Sequence, residues 1–339
     1  MNKKDICSYN YEELKEEMLS IGEKAFRSKQ IYEWLHVKLA DSFEEMTNLS
    51  KGLREKLDAQ YEIRKVKIID HQISEVDPTE KFLFELNDGN MIESVLMKYN
   101  YGNSVCISSQ AGCRMGCRFC ASTIGGLERN LEPSEMLRQI YHIQKVSGER
   151  VSNVVVMGTG EPLDNYENFV KFIHMLSDEH GLNIGQRNIT ASTCGIVPNM
   201  KRLAEEGLQI TLALSLHGSS QEKRKKLMPV ANKYQLEEVL ESLKGCPVYF
   251  TLDLDVLDPG VFPGTGTPEP GGVTFDQLRK AATLVCGRAW IVGCDVNELS
   301  PHYDQSGGST AAACKIVREM LLALENNNRK QNLNRLNVK

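Results

Sequence analysis

Apolar residues recur at three- and four-residue spacing through much of the first sixty positions. The segments YEELKEEMLSIG, KQIYEWLHVKLA and SFEEMTNLSKGLREKLDAQ show it between residues 11 and 59, and this spacing is typical of amphipathic helices. Short alternating runs follow, with KFLFEL and MIESVLM separated by Asn87-Asp88-Gly89-Asn90, which predicts a β-hairpin. The pattern therefore predicts a small N-terminal domain of helices and a β-hairpin, residues 1–95.

From residue 96 to about residue 243, strands and helices alternate. The strand-like segments VSNVVVMG, RNITAST and QITLALSLHG are separated by the helical segments NFVKFIHMLSDEHG and NMKRLAEEG. This rhythm is typical of parallel β/α units. The sequence predicts an α/β core over residues 96–243.

Polar motifs follow four successive predicted strands of this core. They are Cys106 to Ser109, Gly158-Thr159-Gly160-Glu161-Pro162, Ser192-Thr193 and Ser215-Leu216-His217. In parallel β/α folds, ligands collect at the carboxyl ends of the strands. Glycines let a backbone approach a ligand closely, and a carboxylate such as that of Glu161 can accept from an amino group. The four motifs therefore predict one ligand site.

Composition narrows the class of protein. The chain has 339 residues, 41% apolar and 25% charged, and a net charge of -5. This net charge does not favour nucleic-acid binding by the chain as a whole, but it is compatible with a local basic surface that binds RNA. No apolar run approaches the roughly 20 residues of a membrane span, and the opening MNKKDICSYN lacks the apolar core of a signal peptide. We expect a cytoplasmic protein with no membrane partner. Ten cysteines in such a chain favour metal or redox chemistry over disulfides.

Three cysteines stand out by their spacing. Cys113, Cys117 and Cys120 form a Cys-x3-Cys-x2-Cys pattern inside QAGCRMGCRFCAST. Thiolates are the ligands of iron-sulfur clusters, and three of them leave one iron of a [4Fe-4S] cluster open to a substrate or cofactor. A Zn2+ site or an electron-transfer cluster is the alternative. The later cysteines are most simply core thiols: Cys194, Cys246, Cys286 and Cys294.

Residues 1 to about 243 resemble the radical S-adenosylmethionine (SAM) RNA methyltransferases of dual specificity, which methylate adenine C2 in 23S ribosomal RNA and in certain transfer RNAs. The motifs, in the family's order, are FRSKQIYEWLHVK, EMTNLSK, CISSQAGCRMGCRFCAS, RNLEPSEM, MGTGEPLDNYENF, ITASTCGIVP, LALSLHG and KKLMPV. The resemblance implies a partial (β/α)6 barrel preceded by an RNA-binding N-terminal domain over residues 1–95. It also implies a [4Fe-4S] cluster on the three cysteines with SAM on the open iron, an electron donor to reduce the cluster, and 23S rRNA and tRNA as substrates. Preference for C2 over C8 rests only on overall likeness.

The same resemblance implies roles for residues outside the cysteine loop. SAM would be cradled by Gly160, Glu161, Ser192, Ser215, Leu216 and His217. Glu93 would handle a proton, and Cys106 would be the resolving thiol that frees the product. Each residue also has a structural alternative: Cys106 as a buried core thiol, Glu93 as a solvated hairpin carboxylate, and His217 as a strand-end side chain.

The family's chemistry needs a second reactive cysteine. Adenine C2 is electron-poor and has no lone pair to attack a sulfonium, so the methyl group is first placed on a protein cysteine and then transferred by a radical route. That cysteine should lie near the C-terminus in an Ala-Ala-Cys-Gly-Gln-Leu-like stretch, and no such stretch is present. Cys314 follows three alanines, but TAAACKIVREMLLAL has helical spacing and predicts a packed helix.

After about Leu243 the chain resembles another family. Residues 246 to about 323 are similar to the C-terminal third of ureohydrolases, especially agmatinase. The resemblance implies that Asp253 and Asp255 would supply carboxylates to two Mn2+ ions and that Glu298 would face a guanidinium. The upstream Asp-x-His-x-Asp cluster which that site also needs is missing from residues 1–252, and two carboxylates alone cannot hold a metal pair.

The chain therefore looks like a chimera, with a ureohydrolase-like segment at residues 244–323 and a polar tail at 324–339. We expect VYFTLDLDV and AWIVGCDVNEL, with the helices after them, to fill the fifth and sixth places of the barrel. Three functions remain: a radical SAM RNA methyltransferase whose turnover is reduced or lost, a Mn2+-dependent agmatinase-like hydrolase, and an inactive cluster-binding hybrid.

Overall fold

The chain forms two compact units, Met1–Ser215 and Leu216–Lys339. The structure, a computed structural model, describes residues 3–218 and 220–336, so the first two residues of the predicted N-terminal domain and the last three of the predicted tail lie outside the described residues. The predicted domain limits at residues 95, 243 and 323 stay predictions. No helix of the described residues is long and apolar enough to cross a membrane.

The predicted N-terminal helices are confirmed. Asn10 begins the first helix with a capping box to Glu13, and Ser50 caps the third, which satisfies amide groups that the helix itself leaves free. Their apolar faces bury Leu14, Ile31 and Leu57 in one core. The elements are β1 (Lys4–Asp5), α1 (Tyr11–Ser20), α2 (Phe26–His36), α3 (Lys51–Gln60) and β2 (Tyr61–Glu62), with β1 and β2 paired in parallel.

A seven-stranded sheet forms the centre of the first unit. Its antiparallel part contains the predicted hairpin, whose turn places Gly89 at φ +84°, a conformation that favours glycine. Its strands are β3 (Lys67–Ile73), β4 (Thr79–Glu85), β5 (Met91–Tyr99) and β6 (Gly102–Cys106). Because β5 pairs antiparallel with β6, the hairpin and the α/β core share one sheet.

The parallel part confirms the predicted β/α units. The remaining elements of this unit are β7 (Gln110–Gly112), β8 (Leu127–Asn130), α4 (Pro133–Ser147), β9 (Val151–Val156), α5 (Tyr166–Ser177), β10 (Ile189–Thr193), α6 (Val197–Glu205) and β11 (Thr211–Leu214). The strand order is β11-β10-β9-β6-β5-β4-β3, and β6, β9, β10 and β11 run parallel. The carboxyl ends of these four strands therefore share one edge.

The second unit is a smaller β/α/β structure closed by a long helix. Its elements are α7 (Gln221–Leu227), α8 (Leu236–Glu241), β12 (Pro247–Asp253), α9 (Phe275–Arg288), β13 (Trp290–Asn297) and α10 (Gly308–Leu336). Leu254, Phe262, Leu278 and Ile316 lie in its core. Helix α10 continues into the predicted tail, where the Asn327 side chain donates to the carbonyls of Cys286 and Ala289.

The two strands predicted in the ureohydrolase-like segment are present. Within the described part of the second unit, β12 and β13 pair in parallel with each other. The segment has a core of its own, in which α9 and α10 pack together. That these strands fill the fifth and sixth places of the barrel stays a prediction.

A row of buried polar side chains joins α2 to α4. His36 is buried, and its Nδ1 lies 2.7 Å from the Tyr141 hydroxyl. Arg138, also buried, donates to Asp41 Oδ1 at 3.2 Å and to Cys7 Sγ at 3.3 Å. Burial, with the Arg138 charge as a second cause, lowers the pKa of His36 to about 3. A charged imidazolium is therefore disfavoured inside the folded unit.

Replacing His36 with glutamine is expected to flatten the acid dependence of stability. The unfolded chain takes up this proton near pH 6.5, whereas folded His36 stays neutral to about pH 3. Because the unfolded state binds more protons in this window, wild-type free energy of unfolding falls as pH drops through it, by up to about 1.4 kcal/mol per pH unit from this group. Urea unfolding between pH 7 and pH 4.5 measures the difference in slope. His174→Gln, at an exposed position, is the control, and equal slopes for wild type and His36→Gln would contradict the prediction.

Candidate active site

The cysteine loop runs between β7 and β8, which pair antiparallel. Gly112 has φ +73°, and a Cβ there would lie 2.1 Å from the Gly126 carbonyl oxygen, so the closure of the loop requires glycine. The Cys113 amide donates to that same carbonyl at 2.8 Å. The Thr123 hydroxyl donates to the carbonyls of Cys117 and Cys120. The loop is therefore held by hydrogen bonds among its own residues.

The three thiols form one electrostatic group. Cys113 and Cys117 are buried and Cys120 is half-buried. The pKa of Cys113 is raised to about 11, chiefly by burial and also by the nearby charges of Glu161, Cys117 and Cys120, while a hydrogen bond from the Met115 amide opposes the shift. Three thiols that would repel one another as thiolates suit a positively charged iron centre, which favours the thiolate form. Their chemistry and chain order thus fit a cluster.

The thiols do not yet converge as bound ligands would. Across the part of the chain that the structure describes, no three histidine, cysteine, aspartate or glutamate side chains are grouped closely enough to hold a metal ion. The predicted roles of Cys113, Cys117 and Cys120 as cluster ligands therefore stay predictions.

Two polar clamps attach the cysteine loop to the strand ends, and sequence reasoning missed both. Gln110 Nε2 donates to Asn130 and Asp164, and its Oε1 accepts from the Glu161 amide at 2.8 Å. Arg114 binds both carboxylate oxygens of Asp164, at 2.6 and 2.8 Å. Bidentate pairs of this kind fix orientation as well as distance. The only sequence signal was position, since Gln110 and Asp164 flank the cysteine loop and the Gly-Glu-Pro motif.

Glu161 is held by the protein itself. It is 4% exposed, its Oε1 accepts from the Leu163 amide at 3.0 Å, and its Oε2 accepts from the Cys194 amide at 2.8 Å. Burial raises the pKa of this carboxyl, and the hydrogen bonds from Cys194, Thr193 and Leu163 oppose the shift. The carboxylate thus ties the segment after β9 to the segment after β10. Its predicted contact with SAM stays a prediction.

Gly160 is also required by the packing of the chain. It has φ +113°, and a Cβ there would lie 2.6 Å from Gln110 Cβ and 2.8 Å from the Gln110 nitrogen. Any other residue would be strained in this conformation and would push against β7. The structure explains Gly160 through this close approach, and its predicted role at SAM is untested.

Cys194 is a fourth thiol at this place. It is buried, as a core thiol would be, but its surroundings are those of the site. Burial raises its pKa, followed by the charge of Glu161 and then those of Cys117 and Cys113. Interpreting it as an ordinary core cysteine therefore missed a neighbour of the cysteine loop. Its position directly after the Ser192-Thr193 motif was the available signal.

Ser192 and Ser215 are brought together, as the strand-end pattern predicts. Their hydroxyl oxygens lie 3.2 Å apart, at the ends of β10 and β11. Leu216 and His217 begin the second unit. His217 is exposed and has φ +47°, a conformation that is uncommon outside glycine. The predicted contacts of these residues with SAM stay predictions.

Glu93 and Cys106 lie on one face of the sheet. Cys106 pairs with Val95 across β5 and β6, and residues two apart on a strand share a face. Glu93 on β5 forms a 2.6 Å ion pair with Lys81 on the neighbouring strand β4. Cys106 is half-buried, and burial raises its pKa while a hydrogen bond from the Met157 amide opposes the shift. Their predicted roles as proton carrier and resolving thiol remain untested.

The second predicted metal pair does not fit a metal centre. Asn297 Nδ2 donates to Asp253 Oδ1 at 3.3 Å and to Asp295 Oδ1 at 2.9 Å, whereas Asp255 accepts from Thr267 at 3.1 Å. One oxygen of Asp253 thus accepts from an amide N–H group, which cannot ligate a cation. Glu298 has φ +66°, and its predicted place facing a guanidinium stays a prediction.

Adding Mn2+ is therefore expected to leave the second unit unchanged. We expect no rise in the midpoint of thermal unfolding when MnCl2 is added, and no urea from agmatine. A Mn2+ ion that bound the folded state would raise this midpoint. Differential scanning fluorimetry and a urea assay measure both. A Mn2+-dependent rise that Asp253→Asn removes would contradict this, and urea production would make the hydrolase the better function.

The fold and the cysteine loop define a radical SAM methyltransferase. The structure is similar to that of a radical SAM methyltransferase from Sphaerobacter thermophilus, with a TM-score of 0.77 and 29% identity, covering 94% of this chain and 93% of that one. Residues 4–63 match the ribosomal RNA large subunit methyltransferase N-terminal domain.

Close relatives specify the family. The chain is 64% identical over 248 residues to a probable dual-specificity RNA methyltransferase RlmN of Lachnoclostridium phytofermentans, covering 73% of this chain and 69% of the relative. The corresponding protein of Lachnospira eligens is 63% identical over 237 residues, with 70% and 68% covered. The chain belongs to the RlmN family of dual-specificity RNA methyltransferases. Residues 201–323 match the arginase family. This match begins earlier than the predicted residue 246 and supports a mixed resemblance to two families.

Proposed function

We propose that this chain is a radical SAM enzyme acting on RNA that retains SAM cleavage but does not complete the methylation of adenine. The observation that carries the first half is the cysteine loop, fixed by Gln110 and Arg114 at the carboxyl ends of parallel strands. The names of the RlmN relatives support RNA as the substrate, and the family resemblance specifies C2 of adenine in 23S rRNA and tRNA.

Residues of the first unit would hold the cofactors. Cys113, Cys117 and Cys120 would supply three thiolates to a [4Fe-4S] cluster, whose bound form would supply the electron that splits SAM, after reduction by an external donor. The Ser192 and Ser215 hydroxyls, 3.2 Å apart, would orient SAM. The Glu161 carboxylate would keep the two strand-end segments in register through its amide contacts.

Further SAM contacts are proposed on family resemblance. They would come from Gly160, Leu216 and His217, together with Glu161. Contacts within the first unit support this proposal for Gly160 and Glu161, because both residues contact Gln110, which precedes the cysteine loop.

The methyl-transfer half lacks a recognised carrier. Glu93 and Cys106 share a face of the sheet, which supports the proposal that they act as base and resolving thiol. Resolution would require the Cys106 thiolate to attack the sulfur of the thioether that links the carrier cysteine to the adenine. The disulfide would form as the S–C bond of that thioether breaks, and the electron pair of the broken bond would leave with the product. Cys314, the one C-terminal candidate, is exposed on the surface of α10. We therefore expect SAM to be cleaved without methylated adenine.

Anaerobic reconstitution tests this proposal. Protein loaded with iron and sulfide is mixed with dithionite, SAM and an unmethylated 23S rRNA fragment, and 5'-deoxyadenosine and methyladenosines are measured by mass spectrometry. We expect 5'-deoxyadenosine without 2-methyladenosine or 8-methyladenosine. Absence of 5'-deoxyadenosine would overturn the first half of the proposal, and appearance of 2-methyladenosine would overturn the second.

A further inference from the structure

We propose that the exposed side of α10 is a self-complementary surface through which two copies of this chain form a dimer. The outer stripe of α10, as we call it, is made of residues spaced by three and four along the helix: Cys314, Val317, Arg318, Leu321, Leu322 and Glu325. Such spacing places all six on one helical face. The inference is independent of the function proposed above.

The two faces of α10 are both apolar, but only one is covered. On the inner side, Ile316 and Met320 are fully buried in the core of the second unit. On the outer stripe, Leu321 is 58% exposed and Leu322 is 43% exposed. The stripe lines a groove of about 580 Å³ whose other wall is Val296 and Leu299. A contiguous apolar groove of this kind is typical of an interaction surface rather than of solvent-facing helix.

The charges on the stripe identify the partner as a second copy. Arg318 lies three residues before Leu321, and Glu325 lies three residues after Leu322. If two α10 helices pack antiparallel about a two-fold axis between Leu321 and Leu322, Arg318 of each copy faces Glu325 of the other. An isologous interface requires this self-complementarity, and oppositely charged flanks set the register of paired helices.

The present partners of these charges leave them available for such pairing. Arg318 lies 4.0 Å from Glu319, and Glu325 pairs with Arg329 one turn along the same helix. Arg318 and Arg329 are well exposed in these pairs, and exposed pairs of this kind contribute little to stability. Exchange of these contacts for pairs between copies, beside four buried leucines, would favour association through the hydrophobic effect.

Sedimentation of the full chain over a dilution series, with reducing agent present so that Cys314 disulfides cannot form, tests the proposal. We expect a dimer for wild type and a monomer for the Leu321→Glu, Leu322→Glu double variant. Arg318→Glu should weaken the dimer by roughly tenfold or more, because it places like charges opposite each other twice.

The charge exchange gives the sharpest control. Arg318→Glu combined with Glu325→Arg restores both pairs and should recover most of the affinity, even if single variants lose some stability. Lys280→Glu on α9 makes the same charge change away from the stripe and should leave the dimer intact. A monomer at all wild-type concentrations, a dimer that survives the leucine changes, or an exchange that fails to rescue Arg318→Glu would each overturn the proposal.

Discussion

Replacing Cys117 with alanine is expected to abolish iron binding and SAM cleavage together. Cys117 is buried, and its charge acts on both Cys113 and Cys194, so it lies within the proposed ligand group. A [4Fe-4S] cluster held by three thiolates loses a third of its protein ligands with this change. We expect iron to fall from about four atoms per chain to near zero, and 5'-deoxyadenosine formation to fall more than about 100-fold, beyond the effect typical of residues that only support a metal ligand.

The measurement needs a cysteine control. Iron and sulfide analysis, the electron paramagnetic resonance spectrum and 5'-deoxyadenosine are recorded after identical reconstitution. Cys246→Ala removes a half-buried thiol of the second unit and should retain the wild-type iron content. A Cys117→Ala protein that still carries a full cluster would show that another set of ligands holds it, and Cys194 would be the first residue to test.

Local patterns were sufficient to predict many of the elements of this fold. The helices of residues 11–59, the hairpin at Asn87–Asn90 and the four parallel strands all follow from periodicity and turn chemistry, which depend on neighbours in sequence. The separate core that the second unit forms around Leu254, Phe262 and Ile316 could not be predicted in this way. Periodicity says that a segment is a strand, but the choice of partner depends on which buried faces fit together.

The candidate site shows the same limit at the level of single residues. Sequence motifs predicted which residue types lie at the strand ends. They also predicted that Ser192 and Ser215 lie close together, as they do in the structure. They could not show that Glu161 uses both oxygens on backbone amides, or that Cys194 stands beside the cysteine loop. A carboxylate in a motif predicts hydrogen bonding, whereas the identity of its donors depends on how two distant segments pack.

Replacing Glu161 with alanine is expected to destabilise the first unit even when SAM is absent. The change would leave the buried amides of Leu163 and Cys194 without their acceptor, and a buried unsatisfied donor costs about 1–3 kcal/mol. Part of this loss is offset because the wild-type carboxylate is itself costly to bury, as its raised pKa indicates. We expect a net loss of about 2–4 kcal/mol in the free energy of unfolding.

Urea unfolding of the reduced protein without SAM separates this anchoring role from ligand binding. Glu161→Gln keeps one acceptor oxygen but turns an amide N–H2 towards the other donor, so its stability should fall between those of wild type and Glu161→Ala. Glu93→Ala removes a half-exposed carboxylate whose ion pair with Lys81 lies at the surface, and it should cost less than about 1 kcal/mol. If Glu161→Ala were as stable as wild type but failed to bind SAM, the amide contacts would carry no weight, and Glu161 would act on the cofactor alone.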